Sequence, residues 1–301
     1  MNVLSLFDGI SVGQLALRNI GIHIDKYYAS EIDKNAIVVT QMHFPDTIQL
    51  GDVQGINPDD LPPIDILFGG FPCQDFSLAG KRIGLSGQRG GLFFELLRIF
   101  RATKPKYFLF ENVMMNPDIL QYISDEIGIQ PVLIDSSRFS GQHRKRFYWT
   151  NINFNKTYPN STETVRDILD SSNVNDWRIF TGTLKTPKAD QLIKRIGEIS
   201  PYQWGRIVNI DGKSSTMQTT KKDAGYYAFQ NNNDNQIYYR YLTPIEAERL
   251  QTLPDNYTEG FSNTARYKMI GNSWTVRVIE HILTGILQEP RPLSTVTNNY
   301  N

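Results

Sequence analysis

The sequence predicts an α/β fold, a mostly parallel sheet with helices on both faces, joined to a smaller irregular domain. Three observations carry this. Short apolar runs bounded by turn or charged residues recur through the first half of the 301-residue chain. Stretches with helical spacing lie between them. From about residue 155 to 235 both patterns fade. Strands that alternate with helices build βαβ units, and parallel strands need such crossovers. With 40% apolar residues, the chain has enough apolar material for a real core.

The elements follow in order. Val3–Phe7 reads as the first strand and Val12–Ile20 as the first helix. Tyr27–Ser30 and Lys34–His43 repeat the pair. Ile64–Phe68 is a strand, Leu92–Ala102 a helix, and Tyr107–Phe110, Val132–Ile134 and Phe147–Trp149 are further strands. Ligands of such sheets gather at the carboxyl ends of the strands. Four polar segments fall there: Asp8–Gly13, Glu31, Cys73-Gln74 and Glu111-Asn112. Residues 155–235 are rich in Asn, Ser, Thr and Lys and include Asn231-Asn232-Asn233-Asp234-Asn235. This stretch is expected to hold short strands such as Arg206–Ile210. Pro244–Gln251 is expected to be a helix, with Thr243 as N-cap and Glu246 at its third position. The chain then resumes with Tyr267–Ile270, and Val276–Leu287 has helical spacing. The expected layout is a main domain at 1–154, a smaller domain with a hinge at 155–260, a return to the main domain at 261–287, and a polar tail at 288–301.

Composition narrows the function classes. No apolar stretch is long enough to cross a bilayer, and no basic-then-apolar leader opens the chain, so a cytoplasmic protein is expected. Formal net charge is zero, which argues mildly against a nucleic-acid partner. The average hides an asymmetry. Residues 1–76 are acidic, whereas 77–106 carry Lys81, Arg82, Arg89, Arg98, Arg101, Lys104 and Lys106 against Glu95 alone, and 185–222 are also basic. Such segments can contact phosphates locally, although a solvated surface would look the same.

Cys73 is the only cysteine. One thiol cannot build a disulfide framework or a cysteine-clustered zinc site. It is therefore an inert packing residue, a redox-sensitive thiol or a nucleophile. Its setting, Phe71-Pro72-Cys73-Gln74 just past an apolar strand and Gly69-Gly70, puts it at a strand end rather than inside a core.

Phe7-Asp8-Gly9-Ile10-Ser11-Val12-Gly13 links the first strand to the first helix. Its glycines let backbone amides approach a ligand, and the helix start favours carboxylate or other anionic groups. The spacing is not GxGxxG, so a dinucleotide is not indicated. Glu31 ends the second strand, where it can accept hydrogen bonds from ribose hydroxyls, and Asp52 follows the next short strand, within reach of an adenine amino group. Together they suggest a nucleoside ligand that lacks a pyrophosphate, although a tight turn with helix-capping acids would look the same residue by residue.

The set as a whole resembles the DNA cytosine-5 methyltransferase family. The carrying segments are Leu6-Phe7-Asp8-Gly9 with Gly13; Gly70-Phe71-Pro72-Cys73-Gln74-Asp75-Phe76-Ser77 with Arg89-Gly90-Gly91-Leu92-Phe93; and Glu111-Asn112-Val113. They continue with Gln142-His143-Arg144-Lys145-Arg146, Arg240-Tyr241-Leu242-Thr243 through Glu246, Arg249-Leu250-Gln251 and Pro254, and Gly271-Asn272-Ser273-Trp274. The match spans about residues 2–287 except near 155–205. It implies a Rossmann-like sheet that binds S-adenosylmethionine, no metal, duplex DNA as substrate and a monomeric enzyme of a bacterial or phage-infected cell. It also implies roles. Cys73 would attack cytosine C6, Glu111 would serve N3, Arg146 would bind O2, and Arg144 would support the thiolate and the base. Phe7, Asp8, Gly9, Gly13, Glu31, Asp52, Pro72, Asn272 and Ser273 would surround the donor. Trp274 would pack near the donor's methionine portion or serve as a core residue.

The resemblance also implies base flipping. Ser77–Gly91, with five glycines and Lys81, Arg82 and Arg89, reads as a mobile basic loop over DNA. Gly212-Lys213-Ser214-Ser215-Thr216-Met217-Gln218-Thr219 is similar to the family's Thr-Leu recognition element, with Met217 in place of leucine. Arg206, Thr216, Gln218, Lys221 and Lys222 are candidate DNA contacts, whether to bases or to phosphates. Two rival functions differ at identifiable residues. Relatives that act on tRNA tend to carry Pro-Pro-Cys-Gln and a further Cys-Phe-Thr element, whereas this chain has Phe71 before Pro72 and no second cysteine. A non-catalytic homologue would lack the thiol, the glutamate or the donor loop, and all three are present.

Overall fold

The computed structural model describes residues 1–72, 90–171, 177–179, 207–217, 219, 226–230 and 236–288. Its main sheet contains β1 (Asn2–Leu6), β2 (Lys26–Ser30), β3 (Ile48–Gln49), β4 (Ile66–Gly69), β5 (Tyr107–Val113), β6 (Val132–Asp135) and β7 (Lys145–Thr150), in the order β3-β2-β1-β4-β5-β7-β6. The first five are parallel, while β7 runs antiparallel to both β5 and β6. Chain order reverses between β1 and β4. That reversal leaves a crevice at their carboxyl ends, the place where open α/β sheets bind ligands.

Strand residues alternate between two cores, as a period of two requires. Val3, Ile66, Phe68, Tyr107, Leu109 and Tyr148 face one. Leu4, Leu6, Leu67, Phe108, Phe110, Phe147 and Trp149 face the other. The first core is covered by α1 (Val12–Asn19) and by a C-terminal helix, Val276–Gln288, whose Val278, Ile279, Ile282 and Leu283 are buried. The second is covered by a helix at Gly90–Thr103, through Phe93, Leu96, Leu97 and Ile99, and by another at Pro117–Ile127, through Ile123 and Ile127. With α2 (Lys34–His43) these take the labels α3 (Gly90–Thr103) and α4 (Pro117–Ile127).

Local chemistry sets the helix ends. Asp33 caps α2 by accepting from the Asn35 amide, and Asn116 caps α4 with Pro117 behind it and Gly128 at its far end. After the short α5 (Val165–Ile168) comes a second, four-stranded sheet. Its strands are β8 (Arg178–Ile179), β9 (Ile207–Asn209), β10 (Tyr226–Gln230) and β11 (Ile237–Arg240), in the order β8-β11-β10-β9. The expected strand Arg206–Ile210 is β9, and Arg206 itself lies outside the described residues. Helix α6 (Pro244–Leu250) has the expected capping box: the Glu246 amide donates to Thr243 Oγ1 at 3.3 Å, and the Thr243 amide donates to Glu246 Oε2 at 2.8 Å. Tyr267–Ile270 falls inside α7 (Asn263–Asn272), and Val276–Gln288 is α8. The tail from 289 onward lies outside the described residues.

Gly285 shows how closely α8 sits. A Cβ there would meet the Asn153 carbonyl oxygen at 2.5 Å and Ile152 Cγ2 at 2.7 Å. Replacing a helical glycine with alanine gains about 1 kcal/mol of helix propensity. Overpacking against backbone costs about 1–3 kcal/mol and outweighs that gain. Gly285→Ala is therefore expected to destabilise the protein by up to about 2 kcal/mol, read as a lower urea midpoint at unchanged m-value.

Candidate active site

The site is built where β1, β2, β4 and β5 end. The turn after β1 holds three consecutive odd positions in the left-handed region: Phe7 (φ 57°), Gly9 (φ 61°) and Ser11 (φ 55°). Only glycine adopts that region without cost, so Phe7 and Ser11 hold strained backbone of the kind that clusters at ligand sites. Side chains fix the turn from behind. Tyr27 Oη donates to Asp8 Oδ1 at 2.8 Å, Ser11 Oγ donates to Asp8 Oδ2, and Thr40 Oγ1 donates to Ser11 Oγ at 3.1 Å. Asp8, a candidate donor contact, thus faces the support of the turn. Burial raises its pKa to about 6; the hydrogen bonds from Ser11 and Tyr27 oppose that shift, and the charge of Glu31 adds to it. Gly13 is required by packing, since a Cβ there would lie 2.6 Å from the Phe68 ring.

Glu31 follows β2. Its Oε1 accepts from the Ile32 and Asp33 amides at 2.8 and 2.7 Å, and its Oε2 accepts from the Gly9 amide at 2.8 Å. The carboxylate therefore locks the turn and keeps acceptor capacity for a hydroxyl. Beside it Ile32 is 72% exposed, an apolar shelf that the sequence reading missed. Its signal was an aliphatic residue between a strand-end acid and an N-cap aspartate. Asp52 is exposed and caps the short helical turn Val53–Gly55. A fixed carboxylate, an open aliphatic surface and a second exposed acid fit the ribose and adenine of a nucleoside. Asn272 is exposed at the end of α7, whereas Ser273 is buried and donates its hydroxyl to the Ile270 carbonyl.

β4 ends at Gly69, and Phe71 is buried against Phe93 and Trp149, with ring centroids at 5.0 and 6.3 Å. Asn112 Nδ2 donates to the Phe71 carbonyl at 3.1 Å, so β5 holds the chain just before Pro72. Cys73, Ser77, Lys81, Arg82 and Arg89 lie outside the described residues, as do Gln218, Lys221 and Lys222.

The acid and one arginine do meet. Glu111 stands opposite Tyr148, and Val113 opposite Arg146, in the antiparallel β5–β7 pair. Glu111 and Arg146 are therefore diagonal neighbours on one face. Arg146 Nε lies 2.9 Å from Glu111 Oε1, and Trp274 Nε1 donates to Glu111 Oε2 at 3.1 Å. Both partners are donors only. Arg146 also lines an open cleft of about 500 Å³ with Val113, Met114, Asp135, His143, Lys145 and Thr216.

Arg144, expected at the thiolate and the base, has a different setting. It is buried, and its guanidinium donates to the carbonyls of Met217 (3.0 Å), Gly271 (3.1 Å) and Ser273 (2.9 Å). Burial, with Arg146 nearby, lowers its pKa to about 9, so it remains charged at neutral pH. Gln142 completes this bracket: its Oε1 accepts from the Met217 amide at 2.5 Å, and its Nε2 donates to the Leu250 carbonyl. Thr216 Oγ1 donates to the His143 carbonyl at 2.8 Å. The stretch 214–217 is thereby laid along 141–144, with a bridge between Gln142 and Ser214. Among the described residues no three His, Cys, Asp or Glu are grouped to hold a metal ion, and no helix is long and apolar enough to cross a membrane.

Comparison with known proteins gives a consistent picture. The profile of the family described as "C-5 cytosine-specific DNA methylase" matches residues 1–119 and 128–288. The Type II methyltransferase M1.ScrFI of Lactococcus lactis subsp. cremoris is 30% identical, over 95% of this chain and 78% of that protein. The Type II methyltransferase M.Bsp6I of a Bacillus species is also 30% identical, over 95% of this chain and 98% of that one. Among solved structures, the Entamoeba histolytica methyltransferase EhMeth shares the fold, with a TM-score of 0.70 at 17% identity over 97% of this chain and 99% of that one.

Two measurements test this description. Because Asp8 keeps its proton to higher pH in the folded protein than in the unfolded chain, its contribution to stability is present below about pH 4 and lost as pH rises to about 6, a change of up to about 3 kcal/mol. Asp8→Asn should flatten the denaturant-derived stability profile over that window. Arg144→Lys removes the forked donor and leaves buried carbonyls unpaired. It should lower stability by roughly 2–4 kcal/mol in urea unfolding.

Proposed function

Because the chain belongs to the C-5 cytosine-specific DNA methylase family, and is by that membership a DNA cytosine-5 methyltransferase that uses S-adenosylmethionine, we propose that it acts on a cytosine flipped from duplex DNA, through covalent attack by Cys73. The observation that carries the reading is the Glu111–Arg146 pair, held on one face of β5 and β7 beside the segment that leads into Pro72. Cytosine C5 is a poor nucleophile. Thiolate addition makes it reactive and divides a hard step into two easier ones.

In this reading the Cys73 thiolate forms a bond to C6. The C5–C6 π pair shifts to C4–C5, the C4–N3 π pair moves to N3, and N3 takes a proton from Glu111. Arg146 holds the base O2 and, with Trp274, holds Glu111. Asn112 and Phe71 set the backbone that presents Cys73. The turn Phe7–Gly13, Glu31, Ile32 and Asp52 would hold the donor, with Pro72, Asn272 and Ser273 at its other side; when bound, S-adenosylmethionine supplies an electrophilic methyl group. Loss of the C5 proton, elimination of Cys73 and return of the N3 proton to Glu111 then restore the aromatic ring. Arg144 acts as a positioning residue, because its donors lie on backbone carbonyls.

Extrusion of a base costs a few kcal/mol, offset by closure of a loop and by contacts in the pocket. Ser77, Lys81, Arg82 and Arg89 in the stretch after Cys73, and Arg206, Thr216 and Gln218 further along the chain, are the proposed DNA contacts. The stretch 155–260 is the proposed recognition domain.

The test uses duplex DNA and labelled S-adenosylmethionine, with 5-methylcytosine read by mass spectrometry. Wild type should form product, and Cys73→Ala should lose both product and covalent trapping on 5-fluorocytosine duplex. Glu111→Gln should lower turnover by roughly 10²–10⁴-fold, the range of one general acid–base group, with donor binding retained. Undiminished product from Cys73→Ala overturns the mechanism.

A further inference from the structure

The indole of Trp274 is not a core side chain that happens to lie near the site. It is half-buried, with its ring set edge-on to Phe68 at 6.0 Å and 85°, and its one polar atom is aimed at Glu111 Oε2 at 3.1 Å. A Cβ at Gly70 would lie 3.1 Å from that same Nε1. The glycine before Phe71 therefore makes room for the indole, and the indole sits between the acid and the chain that enters Pro72.

A carboxyl group that must deliver a proton in one direction has to be held by partners that cannot take the proton themselves. Histidine, water or a hydroxyl would be ambiguous, because each can donate or accept. Indole N–H and guanidinium N–H only donate. Here both oxygens of Glu111 are gripped by such groups, Oε1 by Arg146 Nε and Oε2 by Trp274 Nε1. Any proton on Glu111 is then confined to the lone pairs those two donors leave free. Of the two grips, that of Arg146 is shared with its proposed role on the base, so the permanent one is Trp274.

We propose that Trp274 is a positioning residue for the reaction: its indole N–H, set by Gly70 and Phe68, orients the Glu111 carboxyl so that its proton faces the target base. The inference rests on the reading of Glu111 given above.

The readout is tritium release from duplex DNA that carries [5-³H]cytosine, with no donor present. Attack at C6 and protonation at N3 give an enamine whose C5 takes a solvent proton. Loss of the tritium and elimination of Cys73 then return cytosine, and the N3 proton goes back to Glu111. The assay therefore reads the covalent addition and elimination, including the Glu111 step, without methyl transfer. Trp274→Phe keeps a ring against Phe68 and removes the N–H donor together with part of the indole. It should slow exchange by about 10-fold, with KM for DNA within twofold of wild type. In a Glu111→Gln background the same substitution should cost less than twofold, because there is no carboxyl proton left to orient. Gly70→Ala, which pushes on the indole, should slow exchange in wild type by more than it does in Trp274→Phe. Equal losses from Trp274→Phe in both backgrounds, or no loss at all while Glu111→Gln is impaired, overturn the proposal. Full exchange by Glu111→Gln overturns instead the reading of Glu111 on which it rests.

Discussion

The buried Arg144 guanidinium fastens segments that lie far apart along the chain. It reaches the Met217 carbonyl and, more than fifty residues further along the chain, those of Gly271 and Ser273. A buried charge without partners is strongly destabilising, so each of those segments has one permitted place. Gln142 does the same with neutral hydrogen bonds to Met217 and Leu250. Much of what faces the cleft follows from this bracket. Ser273 in position puts Trp274 beside Glu111, and Met217 in position lays Thr216 along His143. The pair of arginines in Gln142–Arg146 thus divides its labour, one inward on backbone and one on a carboxylate.

The carboxyl end of β1 depends on a different device. The turn between β1 and α1 has no long side-chain cage. It relies on positive φ values at Phe7, Gly9 and Ser11, on Asp8 beneath it and on Glu31 across from it. Strain of this kind persists only when the surroundings over-determine it. Here Tyr27, Thr40 and the Phe68 ring under Gly13 supply that determination from three separate elements.

Much of this is legible in the sequence, and the reasons are physical. Apolar runs of four or five residues between helical spacings give away the sheet, and turn residues after each run mark the edge where the site forms. The Thr243–Glu246 capping box is local chemistry and can be read directly. What cannot be read is whatever depends on register or on long-range closure. Arg144 and Arg146 look equivalent at i,i+2. Only the start of β7 at Lys145 separates them, leaving one to turn inward and the other to stand diagonal to Glu111. Trp274 reads equally well as a donor contact or as core, because nothing local points to a partner 163 residues away. Gly13 is visible as a glycine, but its cause is the Phe68 ring, which no spacing reveals.

The closure of the chain on itself has a consequence for how the enzyme comes into being. α8 packs beside α1, Tyr257 donates to the Ile10 carbonyl across 247 residues, and the groups that grip Glu111 and Arg144 arrive with residues 271–274. Contacts of such sequence separation form late, since the intervening loop must close before any of them is gained. A chain emerging from the ribosome therefore carries the turn after β1, and Glu111 and Arg144, long before residues 271–274 exist to complete their hydrogen bonds. Synthesis itself acts as a timer: the strands of the main sheet are made first, and the segment that fastens them is made last.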